Sequence, residues 1–406
     1  MAAQMEKINL NNLDKSGWKT YRFEQIAKSI SERVDPNNTD LKIYVGLEHL
    51  DAETIHIKRF GTPEDVDGQK LRCYPGDVIF GKRRAYQRKA ALVDFDGFCS
   101  AHAMVLRANP EVMDPQLFPF FLHSDIFMHR AIDISVGSLS PTINWGTLKT
   151  QEFLLPPKDQ QAKLAELLWA IDAVVEKEIE VLKRLEITLM STVENEIHGI
   201  DISGKTIRTA INELSQKQKI AILGSFGQLL KGKGIPKSDV IDSGYPCVRY
   251  GELYTKHDKI IRAYYSYISE ASKSSSIRLK KNDVLFAGSG ETITEIGKSA
   301  SFVDDIEAYA GGDTLIFRPK DMDGYYLGYL MNSQLVRQQL NKYGTGATVM
   351  HIYNSDLEKI KIPVRSRKDQ EKIGKKLEQI SQNIEQSKHK VETSKSLQKS
   401  LINQIF

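Results

Sequence analysis

The chain is written twice. "VGSLSPTINWGTLKTQEFLLPPKDQQAKL", from Val136, and "GTGATVMHIYNSDLEKIKIPVRSRKDQEKI", from Gly344, run through the same series: a small hydroxyl-rich glycine segment, an isoleucine, a leucine, an apolar run, a proline, and a charged helix entered through Lys-Asp-Gln. Upstream, "YVGLEHL" answers to "CVRYGEL", pairing Val45 with Val248 and Leu50 with Leu253 at an offset of 203. "PGDVIF" answers to "KNDVLF", pairing Asp77 with Asp283 at 206, and Ile143, Leu148 and Gln161 answer to Ile352, Leu357 and Gln370 at 209. Ordered matches at a slowly growing offset mark one supersecondary unit used twice. Any fold proposed for one copy must therefore suit the other.

Each copy has a mixed part followed by a helical tail. The mixed parts, roughly 18–155 and 219–365, carry short runs rich in Val, Ile, Tyr and Phe ("DVIF", "AMVLR", "TLIFR") between Gly, Pro and Asp, which read as strands. "PQLFPFFLHSDIFMHRAI" and "GYYLGYLMNSQLVRQQL" read as one amphipathic helix per copy. The tails are almost free of Gly and Pro. Alternate steps of 4 and 3 from Leu164 reach Leu168, Ile171, Val175, Glu178, Leu182, Leu185, Leu189, Thr192 and Glu196. The same steps from Ile373 reach Leu377, Ile380, Ile384, Ser387, Val391, Ser394, Gln398, Leu401 and Ile405, with seven of ten positions apolar in each tail. That is the coiled-coil repeat, and about 40 residues at about 1.5 Å each make a rod of about 60 Å. The tails pack on each other, or each packs on its own mixed part. Equal length, equal phase and a common origin favour the first arrangement. Gly199 is the expected C-cap of the first helix, and "DISGKTIRTAINELSQKQ" is expected to link it to the second copy.

Composition is that of a globular protein, 41% hydrophobic and 27% charged. The beginning has no apolar stretch of signal-peptide type and no run reaches the roughly 20 apolar residues of a membrane span. Cys73, Cys99 and Cys247 are scattered and form neither a disulfide framework nor a metal-ligand spacing. A reducing cytoplasm is the expected setting. Net charge is only +4, so any nucleic-acid contact must be concentrated locally.

Known catalytic patterns fail one by one. "EIGKSA" ends like a P-loop, but Thr292 stands where its first glycine belongs, and "GSGET" lacks the last glycine of a nucleophile elbow. "LLPPKD" has the Pro-Pro of an amino-methyltransferase motif without its flanking residues. No HExxH or glycine-rich cofactor turn is present.

Basic density is uneven. "GKRRAYQRKA" sets Lys82, Arg83, Arg84, Arg88 and Lys89 around Tyr86, with no acidic residue from Val78 through Val93. This suits phosphate contacts and an arginine on a guanine edge, or else a solvated basic hairpin. The corresponding loop of the second copy offers Ser289, Glu291 and Thr292, and "LLKGKGIPK" adds Lys231 and Lys233. Ser138, Ser140 and Thr142 in one copy, and Thr345, Thr348 and His351 in the other, open the segment before each rod; they either approach nucleic acid or form a structural turn.

The repeated "G-(S/T)…I…L…P…DQ" passage, with "VRYGEL" and "GGDTLIFRPK", resembles the specificity (S) subunit of type I restriction–modification systems from Trp18 to Phe406. The resemblance implies two target-recognition domains, each reading half of a bipartite sequence in double-stranded DNA, joined by two antiparallel helices. It assigns adenine N6 methylation to two partner modification subunits using S-adenosylmethionine. Cleavage and translocation, with ATP and Mg, fall to restriction subunits. This chain is then expected to be a non-catalytic subunit binding no cofactor or metal. The expected fold is α+β, with two similar mixed α/β target-recognition domains (1–155 and 199–365). A long antiparallel two-helix coiled coil (156–198 and 366–406) separates them in an internal pseudo-two-fold repeat. Trp169, Val174 and Ile179 either dock modification subunits or thicken the seam. Two alternatives remain: a self-contained DNA methyltransferase or nuclease, and a coiled-coil scaffold that does not bind DNA.

Overall fold

The computed structural model describes residues 13, 15–290, 292, 295–344 and 350–406. The chain divides into two compact units, Met1–Glu180 with His389–Phe406, and Val181–Lys388.

In the first unit, strands Ala27–Ile30, Met104–Ala108, Val78–Phe80 and Ala90–Leu92 form an antiparallel sheet in that order. A second sheet orders Arg33–Val34, Lys70–Cys73, Gly97–Cys99 and Tyr44–Val45, the last pair parallel. A ribbon of Lys19–Arg22 with Glu152–Leu155 leads into the first long helix. The second unit has the same plan. Gly227–Lys231, Thr314–Pro319, Val284–Ala287 and Ser299–Ser301 repeat the first sheet, with Lys259–Ile260 added at its edge. Ile277–Arg278, Tyr309–Ala310 and Tyr245–Val248 repeat the core of the second, again with one parallel pair, and Ile220–Ile222 with Lys361–Pro363 repeats the ribbon. Val45 and Val248 lie in the corresponding parallel strands.

The matched polar residues do the same work in both units. Asp77 is fully buried; it accepts from the Tyr74 backbone N–H at 2.9 Å and from Arg107 at 2.6 and 3.0 Å. Asp283 accepts from the Lys280 N–H at 2.8 Å and from Arg318 at 2.9 and 2.6 Å. Each aspartate ties a turn to the neighbouring strand. The Arg318 side chain is 20% exposed against 45% for Arg107, so the second pair is the drier. Removing one member of such a pair strands the other. Asp283→Ala is expected to cost about 3 kcal/mol, lowering the second unit's melting midpoint by about 6–12 °C. Asp77→Ala is expected to cost the first unit less; calorimetry reads both.

Gln161 and Gln370 explain the repeated Lys-Asp-Gln entry. Gln161 accepts from the Asp114 N–H at 2.6 Å and donates to Pro156 O at 2.8 Å; Gln370 accepts from the Asp323 N–H at 3.0 Å and donates to Arg365 O at 3.0 Å. Both glutamines are buried. Each satisfies backbone groups at the root of a long helix and fixes that root to its own domain.

The single amphipathic helix expected in each copy is in fact two. Phe118–His123 and Asp125–Asp133 break at Ser124, and Gly324–Met331 and Gln334–Tyr343 break at Ser333. Ser124 leaves the helical region at ψ 149° and caps the next helix through its hydroxyl, accepting from Phe127 N. Serine competes for backbone partners in this way at helix starts. The first helix of each pair is buried all round, apart from exposed Tyr325 in the second pair, and the second helix is buried on one side, so the composite pattern conceals the break.

Burial also sets His123. Its ring meets the Ala90 carbonyl at 2.7 Å, and loss of hydration pushes its pKa down to about 4. The unfolded histidine takes its proton near 6.5 and the folded one only near 4, so this group's stability is present above pH 6.5 and is lost as pH falls toward 4. Melting of the first unit is expected to move down over that window, and less steeply in His123→Gln.

The long helices are Lys158–Thr192 and Arg367–Ile405. The first ends in a π turn, Val193–His198, closed by Gly199 at φ 70° as expected of a C-cap. The linker after it holds a helix of its own, Ile207–Lys217, capped by Thr206, with Ala210 and Leu214 packed in a cluster with Leu335. No position of either heptad series is exposed. Leu164, Leu168, Val175, Ile373, Leu377, Ile384 and Val391 are buried; Ile171, Leu182, Leu185, Ile380 and Leu401 are half-buried. Val174, by contrast, is 50% exposed. Within the first unit, Leu164 and Leu168 share a core with Ile402 and Ile405, and buried Asp172 accepts from Gln398 at 3.0 Å and meets His56 at 2.7 Å. Within the second, Val193 and Ile197 share a core with Ile373 and Leu377, and Lys376 contacts Glu196 at 2.5 Å.

Candidate nucleic-acid interface

Strand register determines which loops meet. In the first unit Ile30 lies opposite Val105 and Phe80 opposite Met104, so three loops leave one end of the sheet. They carry Arg33, the Gly81–Lys89 segment, and His102. In the second unit Lys231 lies opposite Leu315 and Ala287 opposite Thr314, which brings Lys233, Ser289 and Asp313 to the same end.

A fourth segment joins them. Arg83 bridges Thr142, the Ile143 N–H donates to Lys82 O at 2.9 Å, and the Arg84 N–H donates to Pro141 O at 2.8 Å. Arg84 Nε also donates to Ser140 Oγ at 3.2 Å, while Ser138 stays exposed at the tip. In the second unit Ser289 pairs with His351, and the Ile352 N–H donates to Gly288 O at 3.0 Å, the same bond at the repeat offset. Ser289 Oγ and His351 Nδ1 are 3.0 Å apart. Gly288 N–H to Asp313 O (2.9 Å), Gly232 N–H to Thr314 O (2.8 Å) and Gly312 N–H to Gly234 O (2.9 Å) complete the cluster. A Cβ on Gly232 would strike the Gly311 carbonyl, so glycine there permits the close approach. The segments expected separately from the sequence are therefore one surface in each unit. Thr292 is exposed; Glu291, Thr345 and Thr348 lie outside the described residues.

The first surface is electrostatically crowded. Lys82 is held below the usual lysine range by burial, then by the cations of Arg33 and Arg83. His102 is lowered by burial, then by Arg83, Lys82 and Lys70. Among the described residues no carboxylate pairs with Arg33, Lys82, Arg83 or Arg84. Unneutralised cations at close quarters attract anions. Tyr86, 54% exposed, stands on the same loop. Lys231 and Lys233 are exposed in the second unit.

One expectation needs correction. Arg88 is turned inward: its side chain is 14% exposed, 2.7 Å from Asp125 and 3.4 Å from Glu53, and donates to His123 O at 2.8 Å. It holds the loop to its own domain. Arg33 and His102 were missed by sequence reasoning. The register aligns Ile30 with Leu230, an offset of 200, which places Arg33 opposite Lys233. Extending the drifting offset one step upstream would have found it.

The model of the family described as type I restriction modification DNA specificity domain matches residues 15–186 and again 217–393. The chain belongs to this family. As a type I specificity protein it is a DNA sequence-recognition component without catalytic activity of its own. Among curated specificity subunits, the putative MjaX specificity subunit of Methanocaldococcus jannaschii is 22% identical over 393 residues, covering 89% of this chain and 86% of its own. The EcoDI specificity subunit of Escherichia coli is 26% identical over 169 residues, 40% of this chain and 37% of its own. A type I S subunit from M. genitalium superposes with a TM-score of 0.60 at 14% identity, covering 98% of both chains, which supports the fold. Among the described residues, no group of His, Cys, Asp or Glu is placed to hold a metal ion, and no helix is long and apolar enough to cross a membrane.

Proposed function

We propose that this specificity protein reads a bipartite target in double-stranded DNA, one half with each unit, and positions modification and restriction subunits there in the cytoplasm. The observation that carries this is the shared loop platform: two sheets in the same register present four corresponding segments with different side chains. One platform offers Arg33, Lys82, Arg83 and Arg84; the other offers Lys231, Lys233, Ser289 and His351. Cations and hydroxyls fix the backbone, and the remaining side chains read base edges.

The two long helices act as an antiparallel coiled-coil spacer. Support comes from heptad positions that are never exposed, and from helix ends that pack inside each unit in the order an antiparallel pair requires. A stiff tether raises the effective concentration of the second unit once the first has bound. S-adenosylmethionine, ATP and Mg are needed by the partners alone, and two modification subunits suit the duplicated chain. Co-expression with a modification subunit and mapping of N6-methyladenine across the host genome tests the proposal. A split motif with one fixed gap is expected. A continuous motif, or methylation by this chain without a partner, overturns it.

A further inference from the structure

Leu139 is the most exposed large hydrophobic side chain among the described residues, 90% accessible, and Val136 beside it is 70% accessible. Single exposed apolar residues are ordinary on protein surfaces, so exposure alone carries little. The frame around Leu139 is what matters. Val136 and Thr142 exchange both backbone hydrogen bonds, at 3.0 and 2.9 Å, closing the loop between them. Gly137 supplies a φ of 116° that other residues resist, and Thr142 Oγ1 donates to Ser140 O at 3.1 Å. From the other side Arg84 holds the loop through Pro141 O and Ser140 Oγ. An apolar tip is thus fixed beside Lys82, Arg83 and Arg84, none paired with a carboxylate among the described residues.

Duplex DNA satisfies both chemistries at once, with phosphates for the cations and the space between stacked bases for the apolar side chain. We propose that Leu139 enters a base step in the half-site read by the first unit and partly unstacks it, while Lys82, Arg83 and Arg84 grip flanking phosphates. This rests on the DNA-recognition role proposed above for the same loops and specifies its manner. At the repeat offset of 209 the second copy has Thr348, short and polar, which lies outside the described residues. The first half-site is then selected partly by how easily it deforms, and the second by contact alone.

The test uses the full chain assembled with its modification subunits, on duplexes bearing the mapped target with 2-aminopurine at successive positions of both half-sites. Binding of the unaltered complex is expected to raise fluorescence at one step apart from the methylated adenines. L139A is expected to abolish that rise and weaken specific binding about tenfold, while affinity for unrelated DNA and the slope of affinity against salt stay unchanged. A rise that persists in L139A, or no such step with the unaltered complex, overturns the wedge. The triple variant K82A/R83A/R84A separates this from the underlying role. An unchanged salt slope in that variant removes the DNA-gripping surface itself, whereas a reduced slope with unaltered behaviour of L139A removes only the wedge.

Discussion

Replacing Lys82, Arg83 and Arg84 together by alanine is expected to weaken the assembled complex on its target by about a hundredfold and to reduce the slope of log affinity against log salt by about 2–3. Each cation that neutralises a phosphate releases condensed counterions on binding, so losing three removes salt dependence along with affinity. The fold should survive. Lys82 and Arg83 are half-buried and Arg84 is exposed, and none has a carboxylate partner among the described residues. Arg84 has a φ of 54°, but alanine has the same Cβ and adds no new strain there. Arg88→Ala is the informative contrast. Removing a side chain that faces Asp125, Glu53 and His123 O should lower the melting temperature of the first unit and leave the salt slope alone. Filter binding or anisotropy at several salt concentrations, with a melting curve for each variant, separates the two effects.

Inserting seven residues into each long helix at matched heights is expected to shift the methylated motif to a gap about three base pairs longer. One heptad adds about 10 Å of helix, and duplex DNA rises about 3.4 Å per base pair. Seven residues keep the apolar seam in phase, whereas five, a net turn of about 140°, would swing buried Ile384 and Val391 toward solvent. Three base pairs also rotate the second half-site by about 100° at 10.5 base pairs per turn. The two units must absorb that twist, so methylation at the longer gap is expected to be less complete than in the parent. Methylation at the original gap should disappear. Persistence of the original gap would mean that the helices are a slack tether rather than a spacer.

The duplication was legible because it recurs in residues whose work is independent of loop chemistry. Asp77 with Asp283 and Gln161 with Gln370 bind backbone groups that every copy of the unit must satisfy. The heptads were legible because burial of a helix seam imposes a period. The helix breaks at Ser124 and Ser333 were hidden, since a buried helix followed by a half-buried one leaves no single face to follow. At the surface, sequence density identified Lys82, Arg83 and Arg84 but also included Arg88, because clustering along the chain is blind to side-chain direction. Arg33 and His102 escaped for the opposite reason. They are distant in sequence and meet the cluster only through strand register.

The first unit's core includes Ile402 and Ile405, with Phe406 packed 5.2 Å from Phe121, whereas the second unit is one uninterrupted segment. A ribosome that has finished residue 180 must still add more than two hundred residues before that core can close, a delay on the order of ten to forty seconds at about 5–20 residues per second. The half made first is therefore completed last. During synthesis it is the nascent amino-terminal portion, with its phenylalanine-rich interior unsealed, that stands most in need of chaperone cover.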